Sequence, residues 1–354
     1  MRRVGKATTL ASPVLIALLL MPWRAAAWDR GPVKTFAVLP SGSSGPEGLE
    51  VDSAGNVYVT TFGFTSSGPA SGEAQLFVFD PHGHLTRRVS IAGSSAHLLG
   101  LRFHPTTGAL LANDFGAGHV LSVNPHTGAS SVFMTLPALP HPGGSGLNDI
   151  AFDKSGNVYV SDSFQGIVWT VPATGGEATI WVDSALLRTA GVPPFGANGL
   201  RFNREETALF VANTGDDTVI KIPLVGGMAG TPTIFVQAIN GADGLLIDEQ
   251  DNVWVAANQA DEIVVVDPTG KAIAKLGDFG GLTRSGKPIH LLFPASIRFS
   301  GKNLLVTNLA LDLRIFSPAF GTPDSEWTAQ VSRYTVAELP ARIPEVRGSD
   351  HDED

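Results

Sequence analysis

Cysteine is absent from the 354-residue sequence, so no disulfide bond can stabilise the protein, and its apolar core must do so alone. A Gly-x-Ser-x-Gly sequence is also absent, which leaves Ser-His-Asp chemistry without local support. No segment has the apolar spacing of a long amphipathic helix. Basic residues are fewer than acidic ones, 24 against 33, so nucleic acid is not an expected partner.

The first 27 residues have the layout of a secretory signal peptide. Three basic residues precede an apolar stretch over residues 10–21, and three alanines end at Ala27. The apolar stretch is short and interrupted by proline, which disfavours a membrane span. We expect cleavage near Ala27 and export to the periplasm or the extracellular space; an uncleaved membrane anchor is the alternative. Without this segment, which holds four basic and no acidic residues, the chain has 20 basic and 33 acidic residues and a net charge of -13.

One sequence pattern occurs six times in the remaining chain. In each copy a glycine or its substitute precedes a short apolar run, as in PEGLEV, ANGLRF and ADGLLI. We call the residue before this glycine the ring position. The six ring positions are Glu47, Leu99, Asn148, Asn198, Asp243 and Ala295. They are 52, 49, 50, 45 and 52 residues apart, a period typical of repeat proteins.

Each repeat contains four short segments rich in Val, Ile, Phe, Trp and Tyr, separated by Gly, Asp, Asn and Pro. Six units of four antiparallel strands predict an all-β fold, a six-bladed β-propeller spanning residues 28–339. Additional strand-like segments lie at 33–40 and 330–339, and we expect one of them to complete the last blade from the opposite end of the chain. The sequence leaves open which one does so. Residues 340–354 are acidic and without apolar pattern, and we expect them to be disordered.

The ring positions predict a metal site. The inner strands of a propeller line a central channel, so side chains at the start of these strands converge. Glu47, Asn148, Asn198 and Asp243 offer only hard oxygen atoms, which Ca²⁺ or another hard divalent cation prefers, and the absence of Cys and His among them disfavours zinc. Calcium takes about six to eight oxygens, so four side chains leave positions for water or substrate. The alternative is that these residues only form turns before the strands.

Long loops are predicted at the same end of the channel. They span residues 62–74, 138–146, 185–196 and 280–293, whereas the opposite end has tight turns such as DSAGN and DKSGN. Long loops on one end of a rigid scaffold usually form a functional site.

The motifs around four ring positions resemble those of the SMP-30/gluconolactonase family, which is related to diisopropylfluorophosphatases and paraoxonases. The resemblance covers most of residues 34–320, and its most specific parts are PEG with Glu47, ND with Asn148, NGL with Asn198 and DGL with Asp243. It implies that these four residues bind one divalent ion, usually calcium, and that the protein hydrolyses a lactone or a phosphate ester. It also implies that Asp243 is both a metal ligand and a general base in metal-assisted hydrolysis.

Two positions depart from the family pattern. Gly146 lies where sugar-lactonase members tend to have an arginine that contacts the sugar, so a sugar acid lactone is not implied. Gly48 lies where paraoxonases have an acid that binds a second calcium, so a second metal is not implied either. His290 and His97, near the predicted site, are candidate proton carriers, with packing or loop roles as the alternative.

Two other functions fit the same fold. NHL-type propellers contain sequence motifs similar to GLEVDSAGNVYVT and often serve as non-catalytic interaction scaffolds. A protein of that type would lack a convergent ring of oxygen atoms. Streptogramin-inactivating lyases are also metal-dependent propellers, but they use histidine near the metal, and no ring position is histidine.

Overall fold

The computed structural model describes residues 28–65 and 68–344. The predicted signal peptide and most of the predicted acidic tail lie outside the described residues. Six antiparallel sheets of four main strands each surround a central channel, which confirms the predicted six-bladed β-propeller. We number the blades along the chain and call the strands inner, second, third and outer, counted from the channel.

Four sets of strands make up the blades. The inner strands are Pro46–Val51, Leu98–Phe103, Leu147–Phe152, Ala197–Phe202, Ala242–Ile247 and Pro294–Ser300. The second strands are Val57–Thr61, Leu110–Asp114, Val158–Asp162, Ala208–Asn213, Val253–Ala257 and Asn303–Asn308. The third strands are Gln75–Phe79, His119–Val123, Ile167–Val171, Thr218–Val225, Glu262–Val266 and Thr335–Pro340. The outer strands are Leu85–Ser90, Ser130–Thr135, Thr179–Asp183, Thr233–Gln237, Ala272–Leu276 and, in blade 6, Lys34–Val38.

Shorter elements lie in the connections. Two-residue to four-residue strands form small hairpins or extend blades at Phe64–Thr65, Gly68–Pro69, Gly176–Glu177, Met228–Ala229, Phe279–Leu282 and Pro288–His290. The helical turns are Ala185–Leu187, Asn258–Ala260, Leu313–Ile315, Pro318–Phe320 and the single α-helix turn Ser325–Thr328. Among the described residues, none of these helices is long and apolar enough to cross a membrane.

The apolar core is divided into six layers, one in each gap between neighbouring blades. Strand residues alternate between the two faces of a sheet, and both faces are covered by adjacent blades, so the strands are apolar on both sides. Trp169, for example, is fully buried between blades 2 and 3. The inner strand of blade 1 also contacts that of blade 6, so the ring of blades is closed.

The N-terminal strand closes this ring. Lys34–Val38 pairs antiparallel with Thr335–Pro340, with Lys34 opposite Glu338 and Val38 opposite Thr335. The C-terminal strand is therefore the third strand of blade 6 and the N-terminal strand is its outer strand, which resolves the alternative left open by the sequence.

A β-bulge occurs at the same place in all six inner strands. In blade 1 the ladder is regular from Leu49 onward but shifts register between Pro46 and Leu49, and each other blade has the same shift at its ring position. A bulge turns a side chain away from the alternation of the strand, and bulges are common beside functional sites. The bulge therefore directs the side chain at the ring position towards the channel, although the ring position lies at the start of a buried strand.

The glycine after the ring position allows neighbouring inner strands to approach. A Cβ atom on Gly48 would lie 2.3 Å from the carbonyl oxygen of Leu99, and one on Gly199 would lie 2.4 Å from that of Asp243. Such distances are far below van der Waals contact, so only glycine fits this approach without a shift of the backbone. This glycine occurs in four of the six blades and sets how closely their inner strands approach the next strand; Asp149 and Ser296 take its place in blades 3 and 6.

Candidate metal and active site

One cavity at the end of the channel is lined by the four oxygen-bearing ring residues. Glu47, Asn148, Asn198 and Asp243 are 4–5% exposed and form its base. The cavity volume is about 30 Å³, enough for one or two groups the size of a water molecule. The other lining residues are Phe62, Leu99, Pro193, Phe195, Thr214, Asn258, Phe293, Leu309 and Leu311. The structure therefore brings the predicted ligand set together, although its members are about 50 residues apart in sequence.

Buried oxygen atoms without partners indicate that this cavity can accept a cation. Glu47 Oε2, Asn148 Oδ1 and Asp243 Oδ1 are buried and make no hydrogen bond. Buried polar atoms in native proteins are almost always satisfied, so three such oxygens in one cavity require a donor or a positive ion. The donor set of two carboxylates and two amides is the chemistry that calcium prefers. The residues present therefore fit a hard divalent cation.

Carboxylates contribute only half of this ligand set. Within residues 28–65 and 68–344, no three His, Cys, Asp or Glu side chains are grouped so that they could hold a metal. Glu47 and Asp243 supply two carboxylates, and the amides of Asn148 and Asn198 would supply the remaining side-chain oxygens.

The residue just after the second strand orients the ring side chain in three consecutive blades. Asn148 Nδ2 donates to Ser163 Oγ at 3.2 Å, and Asn198 Nδ2 donates to Thr214 Oγ1 at 2.9 Å. In blade 5, Asn258 Nδ2 donates to Asp243 Oδ2 at 3.0 Å. Hydrogen bonds to groups outside a metal's ligand shell commonly orient the ligands. In Asn148 and Asn198 the hydrogen bond uses the N–H₂ group of the side chain, so the amide oxygen remains free to bind a cation.

We predict that Thr214→Val weakens calcium binding by about tenfold, because Asn198 loses the acceptor that holds its amide. Valine has nearly the shape of threonine, so the change removes the hydroxyl with little effect on packing. Calorimetric titration with calcium measures the effect, and Thr214→Ser is the control because it retains the hydroxyl. Equal calcium affinity in Thr214→Val and the wild type would contradict this positioning role.

Burial raises the pKa of both carboxyl groups of the cavity. For Glu47, desolvation has the largest effect and the charges of Asp243 and Asp149 add to it, so its pKa lies well above the usual value. For Asp243, burial is again the main cause, and the pKa is raised to about 7. Two like charges in one desolvated cavity disfavour each other. A divalent cation would supply the missing opposite charge.

A second, positively charged layer lies three residues further along the inner strands. It contains Arg102, Arg201, Arg298 and Glu50, and Asp149, one residue after its own ring position, pairs with it; all five are largely buried. Arg201 Nη1 lies 2.7 Å from Asp149 Oδ2, and Arg102 Nε lies 3.0 Å from Glu50 Oε2. Burial alone would raise the pKa of Asp149, but the charges of Arg201, Arg298 and Arg102 lower it overall. Three guanidinium groups facing two carboxylates leave one excess positive charge below the ring.

The two candidate histidines lie outside the cavity lining. His290 Nδ1 is 2.8 Å from Asp278 Oδ1, and His290 is not among the residues that line the cavity. Its backbone carbonyl accepts from Asn308 Nδ2 at 2.8 Å. His97 Nδ1 is 2.6 Å from the carbonyl oxygen of Phe62, and its ring packs on Phe64. Both geometries match the alternative of loop or packing histidines, and a proton-carrier role for either is still only a prediction.

The apolar half of the site was not predicted from the sequence. Phe62, Phe115 and Phe164 lie just after the second strands of blades 1, 2 and 3, on the same end of the channel as the cavity. The signal was present as TTF, NDF and SDSF after three successive second strands. A fifth long connection, residues 309–334, was also missed, and it supplies Leu309 and Leu311 to the cavity lining.

Comparison with known proteins gives one family and several similar folds. The family model described as "SMP-30/Gluconolactonase/LRE-like region" matches residues 93–277. No curated protein sequence matches the chain. A solved luciferin-regenerating enzyme is 16% identical with a TM-score of 0.60, and the match covers 88% of this chain and 95% of that one.

Two further solved structures have the same fold at similarly low identity. A gluconolactonase from Xanthomonas campestris is 14% identical with a TM-score of 0.60, covering 89% of this chain and 91% of that one. A calcium-binding regucalcin from Agrobacterium tumefaciens strain C58 is 18% identical with a TM-score of 0.58, covering 87% and 93%. These likenesses support the fold, and the match of the family model over more than half of the chain supports the family. The chain belongs to the SMP-30/gluconolactonase/LRE-like family, a family of lactonase-type propellers.

Proposed function

We propose that this protein is an exported, calcium-dependent hydrolase that acts on a lactone or a related ester. The observation that carries the proposal is the set of unpartnered oxygens of Glu47, Asn148 and Asp243 in one buried cavity. Family membership supports lactonase-type chemistry. A non-catalytic scaffold would have no need for such a convergent ring, so the cavity favours an enzyme over the NHL-type alternative.

Glu47, Asn148, Asn198 and Asp243 would hold the cation at the base of the cavity. A bound calcium ion would polarise the carbonyl oxygen of the substrate and stabilise the negative charge that develops there. The incomplete ring leaves room for the substrate and a water molecule beside the four side chains.

Asp243 is proposed to act as the general base. Its Oδ2 accepts a hydrogen bond from Asn258 Nδ2, whereas Oδ1 makes no hydrogen bond. One lone pair of Oδ1 would face the cation, and the other can accept a proton from water. The water oxygen bonds to the carbonyl carbon, and the bond between that carbon and the ring oxygen breaks. The proton passes from Asp243 to the departing alkoxide oxygen, so one water is consumed and a hydroxy acid is released.

The arginine layer favours one cation in the channel rather than two. Its excess positive charge lies below the ring, in buried surroundings where electrostatic repulsion is only weakly screened. A second divalent ion at that depth would face three guanidinium groups. We therefore propose a stoichiometry of one calcium per chain.

Calcium removal tests the proposal directly. We expect the purified protein, measured on γ-lactones and phenyl acetate, to lose at least about 100-fold in kcat/KM with a calcium chelator and to regain activity when calcium is added back. Asn198→Ala should need a higher calcium concentration for half-maximal activity, because one ligand oxygen is lost. Asn157→Ala is the matched control, since Asn157 lies in a turn at the opposite end of the propeller and bonds Asp153. Full activity with chelator would reject calcium dependence.

A further inference from the structure

Six phenylalanines form a continuous cluster above the cavity. We call them the phenylalanine collar, and they are Phe62, Phe64, Phe115, Phe164, Phe195 and Phe316. Phe62 contacts Phe64 and Phe115 with ring centroids 4.7 and 5.3 Å apart. Phe164 stacks on Phe195 at 5.6 Å, and Phe195 contacts Phe316 at 5.6 Å. The collar thus joins blades 1, 2 and 3 with two long loops of the same end of the channel.

The collar continues into the cavity wall. Phe62 and Phe195 line the cavity itself, and they belong to the same apolar cluster as Leu99, Phe293 and Leu309. None of the described residues that line the cavity is Lys, Arg or His. Outside the ring, the polar side chains among the described lining residues are those of Thr214 and Asn258, which already bond ring residues. A substrate therefore meets oxygen ligands at the base and apolar carbon elsewhere.

The outer part of the collar is exposed. Phe164 and Phe316 are 38% and 37% exposed, although both pack against Phe195. Clustered exposed aromatic side chains commonly mark a ligand site, in contrast to single exposed apolar residues. The cavity is small, about 30 Å³, and Phe62 and Phe195 line it, so a substrate that enters the cavity also contacts the collar.

Gly146 provides room for the exposed part of the collar. A Cβ atom at this position would lie 3.0 Å from Cγ of Phe164, so a longer residue there would displace the ring. Because Gly146 lacks a side chain, Phe164 can pack beside it and stack on Phe195. The ring of Phe164 thus fills the space beside Gly146, which a polar side chain at position 146 could otherwise occupy.

We propose that the substrate is a lactone or ester bearing an alkyl or aryl group, which the phenylalanine collar binds, and not a polyhydroxylated sugar lactone. This inference rests on the proposed function, because it assigns a substrate class to the same site. The hydroxyl groups of a sugar would lose their water against phenylalanine rings, which offer no hydrogen-bond partner, at a cost of about tenfold in affinity for each buried hydroxyl. An alkyl chain instead gains from every methylene that it buries.

A series of γ-lactones of increasing alkyl length tests the inference. From γ-butyrolactone to γ-nonalactone we expect kcat/KM to rise about threefold per methylene, on the order of 100-fold in total, with glucono-1,5-lactone the poorest substrate. Phe164→Ala and Phe316→Ala should each lower kcat/KM by about tenfold for γ-nonalactone and by only about twofold for γ-butyrolactone. Met228→Ala is the control, since Met228 is 70% exposed on a hairpin of blade 4, and should behave as the wild type.

Binding of non-hydrolysable alkyl lactams, measured by calorimetry, separates the two proposals. If no lactone or ester is hydrolysed but lactam affinity rises with alkyl length, the hydrolase proposal fails and the apolar site stands. If calcium-dependent hydrolysis occurs but does not increase with alkyl length, or glucono-1,5-lactone is preferred, the apolar substrate class is overturned and the proposed function stands. Lactam affinity that does not change with alkyl length also overturns the apolar site.

Discussion

Replacing Asp243 with alanine is expected to abolish measurable calcium binding and to lower kcat/KM by at least about 10³-fold. The change removes one of the two carboxylates of the ring and the atom, Oδ1, that we propose as proton acceptor. The fold should tolerate it, because the side chain lies in the cavity and not in the core between blades. Burial raises the pKa of Asp243 to about 7, so the charged form is disfavoured in the metal-free cavity. The Tm of the metal-free protein should therefore stay the same or rise.

Asp248→Ala is the matched control for this experiment. Asp248 directly follows the inner strand of blade 5, whose second residue is Asp243, so the two acids lie near opposite ends of one strand. Asp248 accepts hydrogen bonds from the backbone N–H groups of Gln250 and Asn252 and from Trp254 Nε1. Its loss should destabilise the protein by about 1–3 kcal/mol and leave calcium-dependent activity intact. Equal activity of Asp243→Ala and wild type would reject the ring as the catalytic site.

Removal of the N-terminal strand is expected to have the largest effect on stability. A chain that begins at Ser41 lacks Lys34–Val38, the outer strand of blade 6. The third strand, Thr335–Pro340, then has an unpaired edge, and Ala37 and Leu39 leave the apolar layer between blades 6 and 1. Because closure of the ring depends on this blade, we expect Tm to fall by more than about 10 °C or the protein to aggregate.

A chain that begins at Trp28 is the control for this truncation. It retains Arg30, which donates to Glu262 and to the carbonyl oxygen of Gly277, as well as the whole closing strand. Thermal unfolding followed by circular dichroism compares the two chains. A truncated chain from Ser41 with the Tm of the control would show that the N-terminal strand does not close the propeller.

The fold and the convergence of four ring residues could be predicted from the sequence because each repeat carries the same local pattern. Each ring position lies just before the same short apolar run, so the alignment of six copies placed Glu47, Asn148, Asn198 and Asp243 in equivalent positions without any knowledge of long-range contacts. The structure adds the physical cause. A β-bulge at each ring position turns the side chain into the channel, and in four of the six blades the following glycine allows adjacent strands to approach.

Features that depend on contacts between distant residues could not be predicted. Both terminal segments had strand character, and only the pairing of Lys34 with Glu338 shows which one forms the outer strand of blade 6. His290 lies in a long loop near the predicted site, but its contact with Asp278 is a property of the folded chain that no local sequence pattern shows. The phenylalanine collar unites residues such as Phe62 and Phe316, which no short motif connects. Apolar residues in loops have no regular spacing in the sequence, so a binding surface made from them could not be predicted.

A crystal structure of the protein grown with calcium tests the central claim most directly. We expect one anomalous peak in the cavity, with oxygens of Glu47, Asn148, Asn198 and Asp243 at about 2.3–2.6 Å from the ion. The remaining ligand positions should face the phenylalanine collar. An empty cavity at saturating calcium, or an ion bound elsewhere while these four side chains remain unliganded, would contradict the claim that they form one metal site.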